Sequence, residues 1–120
     1  MLMLTDNLMQ QIANIGRERV PAEACGVLLP EPYAGSQVWE MPNRSKTPHD
    51  SFEMLGSDIV LSLEGWFAGK DDDEVKEVVI WHTHPRGNIG PSRYDMRNRL
   101  EGHHHLVISL TEGDAKASWY

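Results

Sequence analysis

Two histidines stand one residue apart at the end of an apolar run, in the stretch VVIWHTHPRGNIGPSRYD that spans residues 78–95. Alternate side chains of a β-strand leave the same face, so His82 and His84 would project together from Cα atoms about 6.5–7 Å apart. That separation lets two ring nitrogens bind one metal ion. An H-x-H pair is also compatible with imidazoles that simply pack in a core or lie on the surface, so it indicates a metal site only together with further ligands.

A third ligand is available downstream of the histidines. Ser92 and Asp95 have the S-x-x-D spacing of a helix capping box, and starting a helix would be sufficient reason for both residues. The same spacing holds the Asp95 carboxylate near the helix start, where it could supply an oxygen ligand. Two histidines and one carboxylate leave a fourth tetrahedral position for water, which is the pattern of a catalytic zinc site rather than a structural one.

A hydrolytic metal site also needs a base that accepts a proton from water and passes it to the leaving amine. Several glutamates precede the histidines in the chain. Glu23 is favoured, because Pro21 before it and the apolar run of residues 24–29 after it would fix its position. The spacing of the residues alone leaves the other upstream glutamates open.

The segment PAEACGVLL, followed far downstream by HTHPRGNIGPSRYD, resembles the JAMM family of zinc metallopeptidases, also called MPN-type, in its prokaryotic or phage branch. The family pattern is a glutamate, a distant H-x-H, ten residues and then an aspartate, with Pro-Ser shortly before that aspartate. The resemblance extends from about residue 4 to residue 120, although Pro30 departs from the glycine that commonly follows the first strand. The matching residues are Glu23, His82, His84, Pro91, Ser92 and Asp95.

The resemblance implies one zinc ion per chain, held by His82, His84 and Asp95. Glu23 would act as the base on the metal-bound water, and Ser92 would donate a hydrogen bond to the oxyanion that forms from the scissile carbonyl. The implied reaction is hydrolysis of a peptide or isopeptide bond at an extended tail. That tail could be the C-terminus of a ubiquitin-like or sulfur-carrier protein, or a phage tail-assembly substrate. The implied fold is α/β (α+β), a mixed, curved β-sheet flanked by helices in a three-layer architecture like that of cytidine deaminases.

The alternative function is a non-catalytic binding or assembly module that contains zinc as a structural element. Such a site would close its fourth position with a cysteine or a histidine, for example His103 of the tract GHHH. Whether His103, His104 or His105 touches the site is left open, since a loop between a helix and a strand also accounts for the tract. A deaminase would need H-x-E and P-C-x-x-C ligands, and the sequence contains neither motif.

The periodicity of apolar residues predicts the elements that position these side chains. Residues 77–84 form a run that is apolar on both faces, which predicts a strand in the centre of a sheet. The other predicted elements are helices from Thr5 or Asp6 to Pro21, from Ser57 or Asp58 to Gly69 and at 92–102, strands at 24–30, 37–41 and possibly 51–55, a solvated acidic turn at 70–74, and a closing hairpin of strands 105–110 and 115–120.

The composition predicts one globular domain over residues 1–120, with 40% hydrophobic and 24% charged residues. The net charge of −7 disfavours a nucleic-acid partner, because phosphate binding needs clustered lysines and arginines. No apolar stretch approaches the ~20 residues needed to span a bilayer, and the N-terminus lacks the pattern of a signal peptide. The single cysteine, Cys25, excludes an internal disulfide and lies in an apolar run, which predicts a buried residue rather than a nucleophile. These features predict a cytoplasmic protein without a membrane partner.

Overall fold

A computed structural model, which describes residues 2–120, contains a five-stranded sheet with helices on both faces. Met1, the first residue of the predicted domain, lies outside the described residues. In the described part of the chain, no helix is long and apolar enough to cross a membrane. The elements are α1 (Asp6–Arg19), β1 (Cys25–Tyr33), β2 (Ser36–Met41), α2 (Gly56–Ser62), α3 (Glu64–Phe67), α4 (Asp72–Lys76), β3 (Val79–His84), α5 (Arg93–Arg97), β4 (His105–Thr111) and β5 (Asp114–Trp119).

The sheet is mixed, and its strand order is β2-β1-β3-β4-β5. β3 and β4 run parallel, whereas the other neighbouring strands are antiparallel. β3 lies in the middle of the sheet and is buried along its whole length, as expected for a strand that is apolar on both faces. The predicted mixed sheet flanked by helices is confirmed, and so is the central position of the strand that carries the two histidines.

Each face of the sheet has its own hydrophobic core. On one face, Leu8 and Ile12 of α1 share a core with Trp81 of β3 and with residues of β4. On the other face, Leu63 and Trp66 share a core with β1. Because α1 covers one face and the segment from α2 to α3 covers the other, the molecule has three layers.

α1 begins as its sequence predicts. The Thr5 hydroxyl accepts a hydrogen bond from the backbone N–H of Leu8 at 3.2 Å, and acidic and basic residues occupy the first and last turns. Its inner side requires Gly16, because a Cβ atom there would lie 2.7 Å from Cγ2 of Thr83. This close approach presses α1 against β3 and leaves the opposite face of β3 for the side chains of its two histidines.

β1 and β2 form the predicted antiparallel hairpin, but β1 extends beyond Pro30 to Tyr33. The ladder pairing is interrupted between Leu28 and Tyr33. Pro30 and Pro32 lie within this interruption. Proline has no backbone N–H, and at these positions the ladder requires none. The departure at Pro30 is therefore local, and the pairing from Cys25 to Leu28, nearer to the histidines, is regular.

Other predicted elements are also wrong in type or length. Residues 51–55 form no strand and belong to an irregular connection. The acidic stretch 70–74 is not a simple solvated turn, because Asp71 and Glu74 form a capping box that starts α4. The helix predicted at 92–102 ends at Arg97, where the Asn98 side chain donates to a carbonyl of the last turn at 2.9 Å.

The helix predicted to end at Gly69 is divided at Leu63 into α2 and α3. Its N-cap is Leu55, without a side-chain hydrogen bond, rather than Ser57 or Asp58. Asp58 instead forms an ion pair with Arg44 at 2.9 Å. α2 buries no residue, so there is little packing to hold a single continuous helix across this region.

Candidate metal centre

Four predicted site residues converge on one buried point of the sheet. Glu23, His82, His84 and Asp95 each place a nitrogen or carboxylate oxygen within 4.8 Å of the others. All four residues are buried, with exposed fractions of 5% or less. Burying ionisable side chains is costly unless they are paired or bind a metal ion. Two imidazoles and two carboxylates at one buried point therefore have the composition of a metal site.

The two imidazoles and the aspartate form a tight triangle of donor atoms. The Nε2 atoms of His82 and His84 lie 3.2 Å apart, and Oδ2 of Asp95 lies 3.0 and 3.1 Å from them. Ligand atoms about 2.0–2.1 Å from a tetrahedral zinc ion lie about 3.3 Å from one another, so these three atoms need little movement to hold such an ion.

The ring orientation of His84 is set by a second layer of contacts. Its Nδ1 lies 3.0 Å from the carbonyl oxygen of Asn88, to which it can donate a hydrogen bond. The same carbonyl accepts a hydrogen bond from the Ser109 hydroxyl at 2.7 Å. A proton on Nδ1 leaves the lone pair of Nε2 directed at the cluster, which is the form of histidine that binds a metal.

His82 is held between two aromatic rings. Phe52 stacks on its imidazole with ring centroids 4.3 Å apart, and Tyr120 approaches edge-on at 6.1 Å. Burial lowers the pKa of His82 below its ordinary value, so its ring is neutral at neutral pH. A neutral imidazole fixed in one orientation is a suitable metal ligand.

Asp95 is positioned by the capping box that its sequence predicts. The backbone N–H of Ser92 donates to Oδ2 of Asp95 at 2.9 Å, and the backbone N–H of Asp95 donates to the Ser92 hydroxyl oxygen at 3.0 Å. Burial alone would raise the pKa of Asp95, but its close contacts with the imidazoles of His82 and His84 hold it well below its ordinary range. The carboxylate therefore stays ionised while it caps α5 and faces both imidazoles.

Glu23 reaches the cluster because of the register between β1 and β3. Cys25 lies opposite His82 in this antiparallel pair, so these two side chains share a face of the sheet. Glu23 precedes Cys25 by two residues, just before the strand begins, and its carboxylate lies within 4.8 Å of the donor atoms of both histidines. The β1 backbone also comes close to its neighbours at Gly26, where a Cβ atom would meet the Trp39 carbonyl oxygen and lie 2.6 Å from the Trp81 ring.

The backbone of Glu23 is fixed on both sides, whereas one oxygen of its carboxylate has no hydrogen-bond partner within residues 2–120. Its N–H donates to the Pro48 carbonyl at 2.7 Å, and its carbonyl accepts from the Asn43 side chain at 3.0 Å. Oε1 of its carboxylate is buried without a hydrogen bond. Burial raises the pKa of Glu23 to about 7. A buried carboxylate oxygen without a hydrogen bond, next to two imidazole nitrogens and a second carboxylate oxygen, fits a site that holds a cation and water.

The tract of three histidines does not contribute to the cluster. Nδ1 of His103 lies 2.9 Å from the carbonyl of Val78, and His104 contacts the edge of Trp119. His105 accepts a hydrogen bond from the backbone of Leu100 at 2.9 Å. The protein cluster in the described residues thus comprises the four predicted residues, without His103 as a further ligand.

Cys25 is buried, as its apolar surroundings predict. Its sulfur lies 3.6 Å from the carbonyl oxygen of Met41. Burial raises the pKa of the thiol to about 12, so the nucleophilic thiolate is absent at neutral pH. Cys25 is therefore a packing residue and not a nucleophile.

Sequence reasoning missed the residues that support the cluster. Asn88 follows His84 by four residues in the loop, and this proximity was the one available signal for its role. Phe52, Tyr120 and Asn43 lie far from the histidines in the chain, and only the folded arrangement brings them together. None of the three belongs to a local motif that could have identified it.

Cavities open on two sides of the cluster. One of about 580 Å³ lies on the side of Asp95, and one of about 430 Å³ lies on the side of Glu23. The first is lined by both apolar and polar side chains, as ligand-binding clefts usually are. Its lining includes Phe52, Met54, Ile59, Tyr94, Asn98, Arg99, Leu100 and Tyr120.

Comparison with known proteins identifies the class to which this fold and cluster belong. The family of prokaryotic homologs of the JAB domain matches residues 5–120. The chain belongs to this family, which confirms the resemblance to the prokaryotic branch of the JAMM (MPN-type) proteins, and it is a peptidase.

Individual relatives agree with this assignment. The chain is 31% identical over 110 residues to proteins named CysO-cysteine peptidase from Mycobacterium bovis and Mycobacterium tuberculosis, and the match covers 92% of this chain and 73% of theirs. The fold is similar to the solution structure of a protein from Desulfitobacterium hafniense, with a TM-score of 0.73 and 23% identity over 99% of this chain and 82% of that one.

Proposed function

We propose that this chain is a zinc-dependent peptidase that hydrolyses a peptide or isopeptide bond at the extended C-terminal tail of a small carrier protein. The observation that carries the proposal is the convergence of Glu23, His82, His84 and Asp95 within 4.8 Å at a buried point between two cavities. Structural zinc sites are usually closed by four cysteine or histidine ligands. Here two histidines and one aspartate form the triangle, and the fourth residue is a glutamate without a hydrogen bond at Oε1.

His82, His84 and Asp95 would hold the zinc ion. When bound, zinc supplies a water of lowered pKa and polarises the carbonyl of the scissile bond. The support for zinc is the donor set, since two imidazole nitrogens and one carboxylate oxygen are common in catalytic zinc sites.

Glu23 is proposed as the general base. Its carboxylate accepts a proton from the water that attacks the carbonyl carbon, and it then delivers that proton to the leaving nitrogen as the C–N bond breaks. A pKa of about 7 suits both steps at neutral pH, and a nearby cation would lower this value and favour the basic form. Its fixed backbone keeps the carboxylate beside His84 throughout.

Ser92 is proposed as the donor to the oxygen of the scissile carbonyl. Its hydroxyl oxygen accepts a hydrogen bond from the backbone of Asp95, so its own O–H remains free to donate. The negative charge that develops on the carbonyl oxygen would strengthen this hydrogen bond in the transition state.

The proposed substrate is a protein with an extended tail, of the ubiquitin-like or sulfur-carrier type. This choice is supported by the name of the mycobacterial relatives, CysO-cysteine peptidase, and by the cavity of about 580 Å³ beside Asp95, which could hold residues next to the scissile bond. Such a substrate is more consistent with these relatives than a phage tail-assembly protein.

The test combines metal content with cleavage of a carrier protein whose tail ends in Gly-Gly-Cys. Glu23→Gln should keep about one zinc per chain and lose at least ~100-fold in turnover, because the base is removed while the ligands remain. His84→Ala should lose both zinc and turnover. The exposed residues His104 and Glu112 provide the controls His104→Ala and Glu112→Gln, which should resemble the wild type.

Equal cleavage by the wild type, Glu23→Gln and His84→Ala would refute the mechanism. Stoichiometric zinc without cleavage of any tail by the wild type would instead favour a non-catalytic zinc-containing binding module. In the first outcome all three proteins cleave the tail equally, and in the second the wild type binds zinc but cleaves no tail. The experiment therefore distinguishes them.

A further inference from the structure

Positive charge is concentrated in one segment of an acidic chain. Residues 86–99 contain four arginines and one acidic residue, Asp95, which gives a net charge of +3. The rest of the chain carries seven lysines and arginines against seventeen aspartates and glutamates, a net charge of −10. Asp95 is buried with 3% exposure, so the surface that this segment presents is basic.

The arginines of this segment also differ from the others in their contacts. Arg93, Arg97 and Arg99 are exposed and make no hydrogen bond or ion pair within residues 2–120. We call these three residues the arginine face. Each of the other arginines binds an acceptor in the chain: Arg17 binds the Asp114 carbonyl, Arg19 binds Glu40, Arg44 binds Asp58 and Arg86 binds Asp50.

The arginine face adjoins the candidate metal centre. Arg93 and Arg97 lie on α5, the helix whose buried side supplies Asp95. Arg99 lines the cavity of about 580 Å³ together with Asp95. Large apolar side chains are exposed among the arginines, namely Tyr94 at 43%, Met96 at 41% and Leu100 at 54%. Arginine and aromatic side chains with an apolar neighbour are the residues that protein interfaces favour.

We propose that the arginine face is the docking surface for the acidic body of a protein substrate, whose C-terminal tail then enters the cavity beside Asp95. This inference rests on the proposed function. Arginines without partners in the chain can bind carboxylates without first breaking an internal ion pair. The charge of −10 over the rest of the chain repels an acidic partner elsewhere, so this face both attracts the substrate and orients its tail.

The test uses one cleavable tail, ending in Gly-Gly-Cys, in three forms. It is presented as a free peptide, on a small carrier protein with a net charge of about −8, and on the same carrier with surface carboxylates replaced by amides to give a charge near zero. The variant is Arg93→Gln, Arg97→Gln in one chain, and Arg99 is left unchanged because it lines the cavity that the tail enters. The matched control replaces two exposed lysines that make no ion pair within residues 2–120, Lys46→Gln and Lys116→Gln, and so removes the same charge elsewhere.

The double arginine variant should lose about tenfold in kcat/KM on the acidic carrier, through KM, and should cleave the free peptide like the wild type. The lysine control should match the wild type on all three substrates. Raising the ionic strength from about 20 to about 200 mM should reduce wild-type kcat/KM on the acidic carrier and have little effect on the arginine variant.

Two results would overturn the docking proposal. One is an equal loss on the free peptide, which would make the arginines part of the site or the fold. The other is a wild-type enzyme that cleaves acidic and neutral carriers equally well. If no tail is cleaved, the proposed function fails, and docking is then tested by binding of labelled acidic carrier to the zinc-loaded wild type. Tighter arginine-dependent binding of single-stranded DNA than of that carrier would refute docking of a protein.

Discussion

Replacing Glu23 by glutamine removes a buried charge while keeping the shape of the side chain. Burial raises the pKa of Glu23 from 4.5 to about 7, so ionisation at neutral pH costs the folded state free energy that the unfolded chain does not lose. The difference between the two pKa values corresponds to at most about 3 kcal/mol, and partial screening by solvent reduces it to about 2 kcal/mol. We therefore expect Glu23→Gln to relieve about 2 kcal/mol of destabilisation at pH 8 in the metal-free protein.

The sign of the pH dependence follows from the raised pKa. A group whose pKa is higher in the folded state stabilises the fold below its unfolded pKa, and this stability is lost as the pH rises through the folded pKa. The stability of the wild type relative to Glu23→Gln should therefore fall between pH 5 and pH 8. Urea unfolding of both proteins in excess chelator, at several pH values in this range, measures the difference. Although burial disfavours the charged form of His84, contacts with Asp95, Asn88 and Glu23 raise its pKa, so the difference between the two proteins reports the coupled titration of Glu23 and His84.

A free-energy difference between the two proteins that stays constant from pH 5 to pH 8 would refute the reasoning. It would mean that the Glu23 carboxylate has its ordinary pKa and is not isolated from water in the fold. Glu112→Gln is the matched control, because Glu112 is exposed and should give a flat difference. If Glu112→Gln showed the same slope, the effect would come from overall charge rather than from the buried site.

Two further predictions concern residues near the candidate metal centre. Ser92→Ala should retain zinc and lower kcat by about 100-fold, because an oxyanion donor contributes about 3 kcal/mol. The lost helix cap should reduce stability by only about 1 kcal/mol. A comparable loss of kcat in Asp71→Ala, which removes only a helix cap, would contradict a role of Ser92 in catalysis. Cys25 should resist alkylation by iodoacetamide at pH 8 in the folded protein and react after unfolding, because burial raises its pKa to about 12. Mass spectrometry measures the modification. Rapid modification of the native protein would contradict the prediction, because it would show that the thiol is accessible.

The parts of the fold that the sequence predicts are those with a strong local pattern. The central strand is apolar on both faces, α1 has a capping threonine and a helical stripe, and Ser92 and Asp95 form a capping box within four residues. Each of these signals lies within one short segment, so no knowledge of distant contacts is needed. The same is true of the shared face of His82 and His84, which follows from strand geometry alone.

The parts that the sequence does not predict depend on distant contacts. Residues 51–55 resemble a strand locally, but the loop containing them is held by the Asn43 side chain rather than by a sheet neighbour. The amide of Asn43 donates to the Ser51 carbonyl, and its oxygen accepts from the Glu53 N–H. The division of the helix at Leu63 follows from the lack of buried residues in α2 and from the burial of Leu63 itself. Neither feature can be read from a window of ten or fifteen residues, because each depends on what packs against the segment.

Glu23 shows most clearly where local reasoning ends. Its own segment favours it, because Pro21 and the apolar run of residues 24–29 would fix its position, but only the family pattern selects it over the other upstream glutamates. The structure supplies the physical reason, since β1 pairs with β3 up to Cys25 and His82, and this brings the Glu23 carboxylate within 4.8 Å of the donor atom of His84. This register joins residues almost sixty positions apart in the chain, and a slip of the register would move the carboxylate away from the histidines. The position of the proposed base is therefore a property of the β1–β3 ladder, and substitutions that disturb that ladder would act on the site without touching a ligand.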